Sequence, residues 1–156
     1  AQLDRFLMNI KISYPDLGAK RKILNLSNEK SDASPKNILS SKEILNIQSF
    51  IKEIPVGESV VQYILNIIKQ SRPETSEVKS VRENILWGPS PRASLALMTT
   101  SRAKAFLENR YSPSVFDVQS LVKPILSHRL KLNISAKAEN VNIEDILDDV
   151  INHTKN

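Results

Sequence analysis

A chain of 156 residues with 40% hydrophobic and 25% charged content is ordinary for a globular domain and long enough for one real core, or one plus a short appendage. It has no cysteine, which excludes disulfides, thiolate metal sites and a cysteine nucleophile and suits a reducing, cytoplasmic setting. Net charge is +5, but Lys and Arg are scattered, Lys20-Arg21-Lys22 being the densest cluster; no apolar run approaches the ~18 residues of a membrane span.

At the N-terminus, "AQLDRFLMNIKISYP" places Phe6, Met8, Ile10 and Ile12 on one side and Asn9, Lys11 and Ser13 on the other. That alternation predicts a strand over 6–12, ended by Tyr14-Pro15. Asp4, Arg5, Asn9 and Lys11 interrupt the apolar positions, unlike a signal peptide. One strand cannot make a sheet and the chain lacks an initiator Met, so the expectation is a segment of something longer.

Asp16 then caps a helix over "DLGAKRKILNL", weakened by Gly18, and the polar "SNEKSDASPKN" reads as a loop. Ser40 and Glu43 have capping-box spacing ahead of Ile44, Ile47 and Ile51 at helical intervals. Pro55-Val56-Gly57 breaks that helix. In "ESVVQYILNIIKQSR" the residues expected to face inward are Val60, Val61, Ile64, Leu65 and Ile68. Residues 71–86 read as a long connection. Ser90 is an N-cap with Pro91 at the first helical position, opening a helix to about Arg110 that buries Leu95, Leu97 or Met98, Ala105 and Phe106. Ser112-Pro113 repeats the device before "SVFDVQSLVKPILSHRL", which Pro124 kinks or splits. "KLNISAKAEN" is connecting chain with a short extended piece, and Asn142 caps a last helix.

The common catalytic sets are missing: there is no G-x-x-x-x-G-K-[ST], no G-x-S-x-G and no H-E-x-x-H. Neither His128 nor His153 has ligand-spaced carboxylates around it, so His128 reads as a helix-end cap and no metal ligand set is expected. Glu144-Asp145 and Asp148-Asp149 read as carboxylates favourable to a helix dipole rather than as a magnesium site. Two arginines stand out. Arg92, in the first turn of its helix, opposes the dipole there, and a phosphate held by backbone N–H groups and the guanidinium would justify it. The alternative is a merely exposed Arg92. For Arg5 the alternative to a functional role is an ion pair with Asp4 or another acid.

"AQLDRF" before a strand and a Tyr-Pro exit resembles the end of the ATPase core of MoxR-type AAA+ proteins. "GPSPRA" with its small-residue helix, the downstream "YSPSVFDV" and the closing "ILSHRL" resemble the same family's second-sensor region in order and spacing. Pro89 departs from the family's usual Ala, and Phe116 stands where an acid is common. The resemblance implies an all-α helical bundle of the lid type, residues 15–156, preceded by one strand left over from an α/β core, residues 1–14.

It further implies an ATPase using ATP and Mg²⁺, whose phosphate loop, Mg²⁺-binding acid and first sensor lie before Ala1. Arg5 would be an arginine finger acting in trans, and Arg92 the second sensor, contacting with Ser90 the nucleotide of its own subunit. The implied partners are the core of the same chain, neighbouring subunits in a hexameric ring and a von Willebrand factor A-domain protein, with chaperone-like remodelling as the output. The competing reading is a stand-alone helical binding module, drawing on the net charge and the Ser112-Pro113 junction to bind DNA; the orphan strand at 6–12 speaks against it.

Overall fold

The computed structural model describes residues 2–26 and 38–154. These form eight α-helices: α1 (Leu17–Leu26), α2 (Ser41–Glu53), α3 (Glu58–Gln70), α4 (Lys79–Asn84), α5 (Pro91–Leu107), α6 (Val115–Leu126), α7 (Ile134–Ala138) and α8 (Ile143–Thr154). A 3-10 turn at Leu3–Arg5 and two short strands, β1 (Ile85–Trp87) and β2 (Lys131–Leu132), complete the set. The helical bundle expected from the sequence is the architecture found.

The core lies where α3, α5, α6 and α8 meet, around fully buried Ile67, Leu97, Val122, Ile125, Leu147 and Val150. In α3 the buried stripe is Val60, Tyr63, Ile64, Ile67 and Ile68, an i, i+3, i+4, i+7, i+8 face. The expected face was rotated slightly, since Leu65 is half-exposed while Tyr63 and Ile67 turn inward. Helix α5 buries mainly small residues, Ala93, Ala96, Thr100, Ser101 and Ala105 beside Leu97, which lets its neighbours approach closely, whereas Leu95 is exposed. Its buried hydroxyls bond their own helix, Thr100 to Ala96 O at 2.7 Å and Ser101 to Met98 O at 3.0 Å. The helix ends at Leu107 rather than Arg110. Asn109, at φ 55, takes the left-handed position, and the N–H groups of Asn109 and Arg110 reach Phe106 O and Ala105 O, closing a Schellman motif.

The capping box of α2 forms as expected, with Glu43 N donating to Ser40 Oγ at 3.3 Å and Ser40 N to Glu43 Oε2 at 2.7 Å. Its Phe50 ring packs on Phe106 of α5, centroids 5.7 Å apart. Asp16 caps α1 by accepting from Ala19 N, and Asn142 caps α8 by accepting from Glu144 N. The cap of α6 is Ser114, not Ser112: Asp117, three residues on, completes a capping box with Ser114. Pro124 neither splits nor ends α6, which runs through to Leu126. Residues 71–86 are more than a connection, holding α4 and β1, and 131–140 hold α7 as well as the short extended piece β2. The predicted loop at 27–37 lies outside the described residues.

Residues 6–12 form no strand. Among the described residues they have no ladder partner, and Phe6, Ile10 and Ile12 are exposed. Alternation is a local signal, but a strand needs a neighbour with matching free N–H and C=O groups, and among the described residues this segment has none. It lies against α6 instead: Asn9 N donates to Pro124 O at 2.7 Å, one of the last-turn carbonyls that an α-helix leaves open.

Candidate functional site

Strand β1 pairs antiparallel with β2, Ile85 opposite Leu132 and Trp87 opposite Lys131, with an irregular register between. This ribbon brings two distant segments side by side: Gly88-Pro89-Ser90, which leads into α5, and His128-Arg129, which follows α6. Lys131 Nζ lies over the Trp87 ring at 4.7 Å, a cation–π contact that adds to the pairing. The approach to α5 is fixed from the other side by α3. A Cβ on Gly88 would stand 2.8 Å from both Arg72 Cα and Ser71 O, so glycine is needed for backbone to pass backbone. Arg72 Nε donates to Pro89 O at 3.0 Å.

Ser90 caps α5, accepting from Arg92 N at 3.2 Å, with Pro91 at the first position. The start of the helix is thus set by local chemistry, as expected. Ser90 Oγ also donates to Asp4 Oδ2 at 2.8 Å, and Arg92 Nη1 stands 3.8 Å from the same oxygen. Arg5, next in the chain, belongs to the 3-10 turn and is exposed, with no ion pair among the described residues. Arg5 and Arg92 line one shallow cleft of about 250 Å³ together with Asp4, Leu95, Thr99 and Arg129. The structure therefore brings Arg5, Ser90 and Arg92 together. The alternative for Arg5, an ion pair with Asp4, is not what forms, because Asp4 is engaged by Ser90 and Arg92.

Arg129 is the residue that sequence reasoning missed. Its side chain is only 2% exposed, and Nε lies 3.9 Å from Asp4 Oδ1. Nη2 donates to Phe6 O at 2.7 Å and lies 3.4 Å from Leu7 O, while Nη1 is buried without a partner. Burial presses the guanidinium below its ordinary pKa; Asp4 opposes that effect and Arg92 reinforces it. His128 Nε2 lies 3.2 Å from Phe6 O and 3.4 Å from Arg129 Nε. A ring nitrogen cannot donate to the first and accept from the second at once. The motif "ILSHRL" was legible in the sequence, but its contact with residues 4–7 was not.

The cleft has the chemistry of an anion site: three guanidinium groups against one carboxylate, beside the N-terminus of a 17-residue helix. A phosphate fits the two exposed guanidinium groups, Arg5 and Arg92, whereas Arg129 is buried. The acidic residues of α8 are engaged elsewhere: Glu144 pairs with Lys11, Asp148 with Lys123 at 2.7 Å, and Asp149 accepts from Ser80 at 2.6 Å.

The helical bundle opens α5 on a capped, arginine-bearing first turn, and residues 79–150 match the family model for the AAA lid domain. Over nearly its whole length the chain is similar to the lid region of MoxR-type AAA+ proteins. It is 30% identical to the chaperone MoxR1 of Mycobacterium tuberculosis, over 97% of this chain and 40% of that protein. To the uncharacterized protein YeaC of Bacillus subtilis it is 29% identical, over 99% of this chain and 46% of YeaC. A crystal structure of a protein assigned as an ATPase, from Cytophaga hutchinsonii, superposes with a TM-score of 0.90 at 29% identity, covering 97% of this chain and 46% of that one. The chain thus spans less than half the length of the curated relatives it matches. No helix among the described residues is long and apolar enough to cross a membrane.

Proposed function

We propose that this chain is the nucleotide-sensing lid of a MoxR-type ATPase, with residues 1–14 as the end of its core, and that Arg5 and Arg92 address the phosphate of one nucleotide. The observation that carries the reading is their shared cleft, with Asp4 between them: Asp4 adjoins Arg5 in the chain and sits 3.8 Å from Arg92 Nη1. The family resemblance assigns Arg5 to a neighbouring subunit's nucleotide and Arg92 to its own. A single cleft favours one address, and we place the pair together, in trans. ATP and Mg²⁺ are held by the core in this reading.

The residues here bind and orient. Two guanidinium groups converging on a terminal phosphate stabilise the charge that spreads over its oxygens during transfer, and a trans arginine contributes ~10³–10⁵ in rate. Hydrolysis removes that anion, so the attraction between lid and nucleotide changes with nucleotide state and turns chemistry into lid motion. Ring assembly, remodelling of a partner protein and a von Willebrand factor A-domain partner belong to the same proposal.

The test uses the protein expressed from its complete gene. Arg5→Ala and Arg92→Ala should each lower ATP turnover at least ~10²-fold at saturating ATP. Mixing either variant with subunits defective in the phosphate loop but intact in both arginines should restore part of it. Rescue of Arg5→Ala without rescue of Arg92→Ala would return Arg92 to its own subunit. Unchanged turnover of a variant would remove that arginine from the mechanism.

A further inference from the structure

We infer that Arg129 is the positioning residue for this arginine pair: it fastens the segment bearing Arg5 to the lid, so that finger and sensor move as one body. The inference rests on the reading of Arg5 and Arg92 given above.

The contacts of Arg129 all but surround Arg5 in the chain. On one side its Nε faces the Asp4 carboxylate; on the other its Nη2 takes the carbonyls of Phe6 and Leu7. The residue between these anchors is Arg5, whose own side chain stays exposed over the cleft. Apart from adjacent His128, the partners of this buried guanidinium among the described residues lie about 120 residues earlier in the chain. Burying a guanidinium is costly, and here, apart from the contact with His128, its hydrogen bonds go to the arginine-bearing segment.

Asp4 extends the clamp to the sensor. Its Oδ2 accepts from Ser90 and faces Arg92, while Oδ1 faces Arg129. One carboxylate therefore links the N-cap of α5, the first-turn arginine and the clamp. Further along, Asn9 N on Pro124 O and the Lys11–Glu144 pair hold the same segment to α6 and α8. The spread of a guanidinium suits the arrangement, since Nη2 donates to the carbonyl of Phe6 while Nε stands 3.9 Å from the Asp4 carboxylate; a lysine ammonium is a single point charge. A misplacement of ~1 Å in a positioned group can lower a rate by ~10²-fold, so a slack finger is nearly as harmful as a missing one.

The experiment compares Arg129→Lys and Arg129→Ala with Arg5→Ala and with the double variant Arg5→Ala/Arg129→Ala, in the protein expressed from its complete gene. Folding is followed by far-ultraviolet circular dichroism, and binding by a fluorescent ATP analogue. The expected result is turnover lowered ~10–100-fold by either Arg129 substitution, with nucleotide affinity within about twofold of the parent. The double variant should turn over no more slowly than Arg5→Ala alone, because the clamp acts through the finger. Mixing Arg129→Ala with phosphate-loop-defective subunits should restore turnover, as a defect exerted across the subunit boundary requires.

Turnover unchanged by Arg129→Lys and Arg129→Ala would overturn the proposal, as would additive loss in the double variant or loss without rescue on mixing. Failure of both Arg129 variants to fold would assign the residue to the scaffold and overturn it equally. If Arg5→Ala alone leaves turnover intact, the reading of the cleft has failed, and that outcome is separate from any result at Arg129.

Discussion

Replacing Asp117 with Asn should destabilise the chain by about 2 kcal/mol at neutral pH, and by much less in acid. Asp117 is 1% exposed at the start of α6. Its oxygens each take one arm of the Arg110 fork at 2.7 Å, and Oδ2 also accepts from Ser114 N at 2.7 Å and Ser114 Oγ at 2.9 Å. Burial alone pushes this carboxyl up, but the Arg110 fork and the Ser114 bonds outweigh it and bring it from an ordinary 3.8 down to about 2. A depression of that size corresponds to about 2 kcal/mol. Breaking a fully buried ion pair would cost ~3–5 kcal/mol; the smaller figure applies because the Arg110 side chain, 34% exposed, can return to water.

The sign follows from the direction. A carboxyl whose folded pKa is depressed contributes fully above its unfolded pKa and loses that contribution as pH falls through the folded one. The stability gap between parent and Asp117→Asn should therefore be flat from pH 7 to about 5, roughly halved at pH 3 and nearly closed at pH 2. Urea unfolding followed by circular dichroism at each pH measures it, and the melting temperature should drop by about 4–8 °C at pH 7. A gap under about 0.5 kcal/mol at pH 7, or one as wide at pH 3 as at pH 7, would refute the reasoning.

Two other outcomes follow from the geometry around the cleft. Gly88→Ala must push apart the backbones of Ser71-Arg72 and the segment entering α5; it should lower stability by ~1–3 kcal/mol and depress turnover with it, measured by unfolding and by phosphate release. The isolated chain should not retain nonspecific duplex DNA at physiological salt in a mobility-shift titration, and retention that weakens steeply with salt would restore the binding-module reading.

Features written in a few adjacent residues were legible in the sequence. Ser90-Pro91 opens α5 and Ser40 with Glu43 opens α2 because a cap needs only a hydroxyl, a proline or a carboxylate at fixed offsets. The same logic was misapplied at Ser112-Pro113: proline suggested a first helical position, while Asp117 selects Ser114 by its three-residue spacing. The six residues of α4 have no side-chain cap, and β1 pairs with a strand more than forty residues away, so neither left a local mark. The alternation over 6–12 was real, but no described neighbour offers it a ladder. Of the cleft, Arg5, Ser90 and Arg92 were found as separate features. What joins them, Asp4 and Arg129, depends on contacts spanning most of the chain.

The β1–β2 ribbon has a consequence for how this domain can vary. Trp87 faces Lys131 across it, so α5, the turn after it and α6 form an arm whose two roots are tied together. Ser90 and Arg92 stand at one root, and His128 and Arg129 at the other. The far end of the arm is the exposed turn around Asn109 to Ser112, closed by its own Schellman motif. Whole helical turns added to both limbs there would lengthen the reach of the arm while leaving the guanidinium groups at its base in place. Reach and phosphate chemistry are thus separable in this fold, and a lineage can refit the tip to a new partner without rebuilding the root.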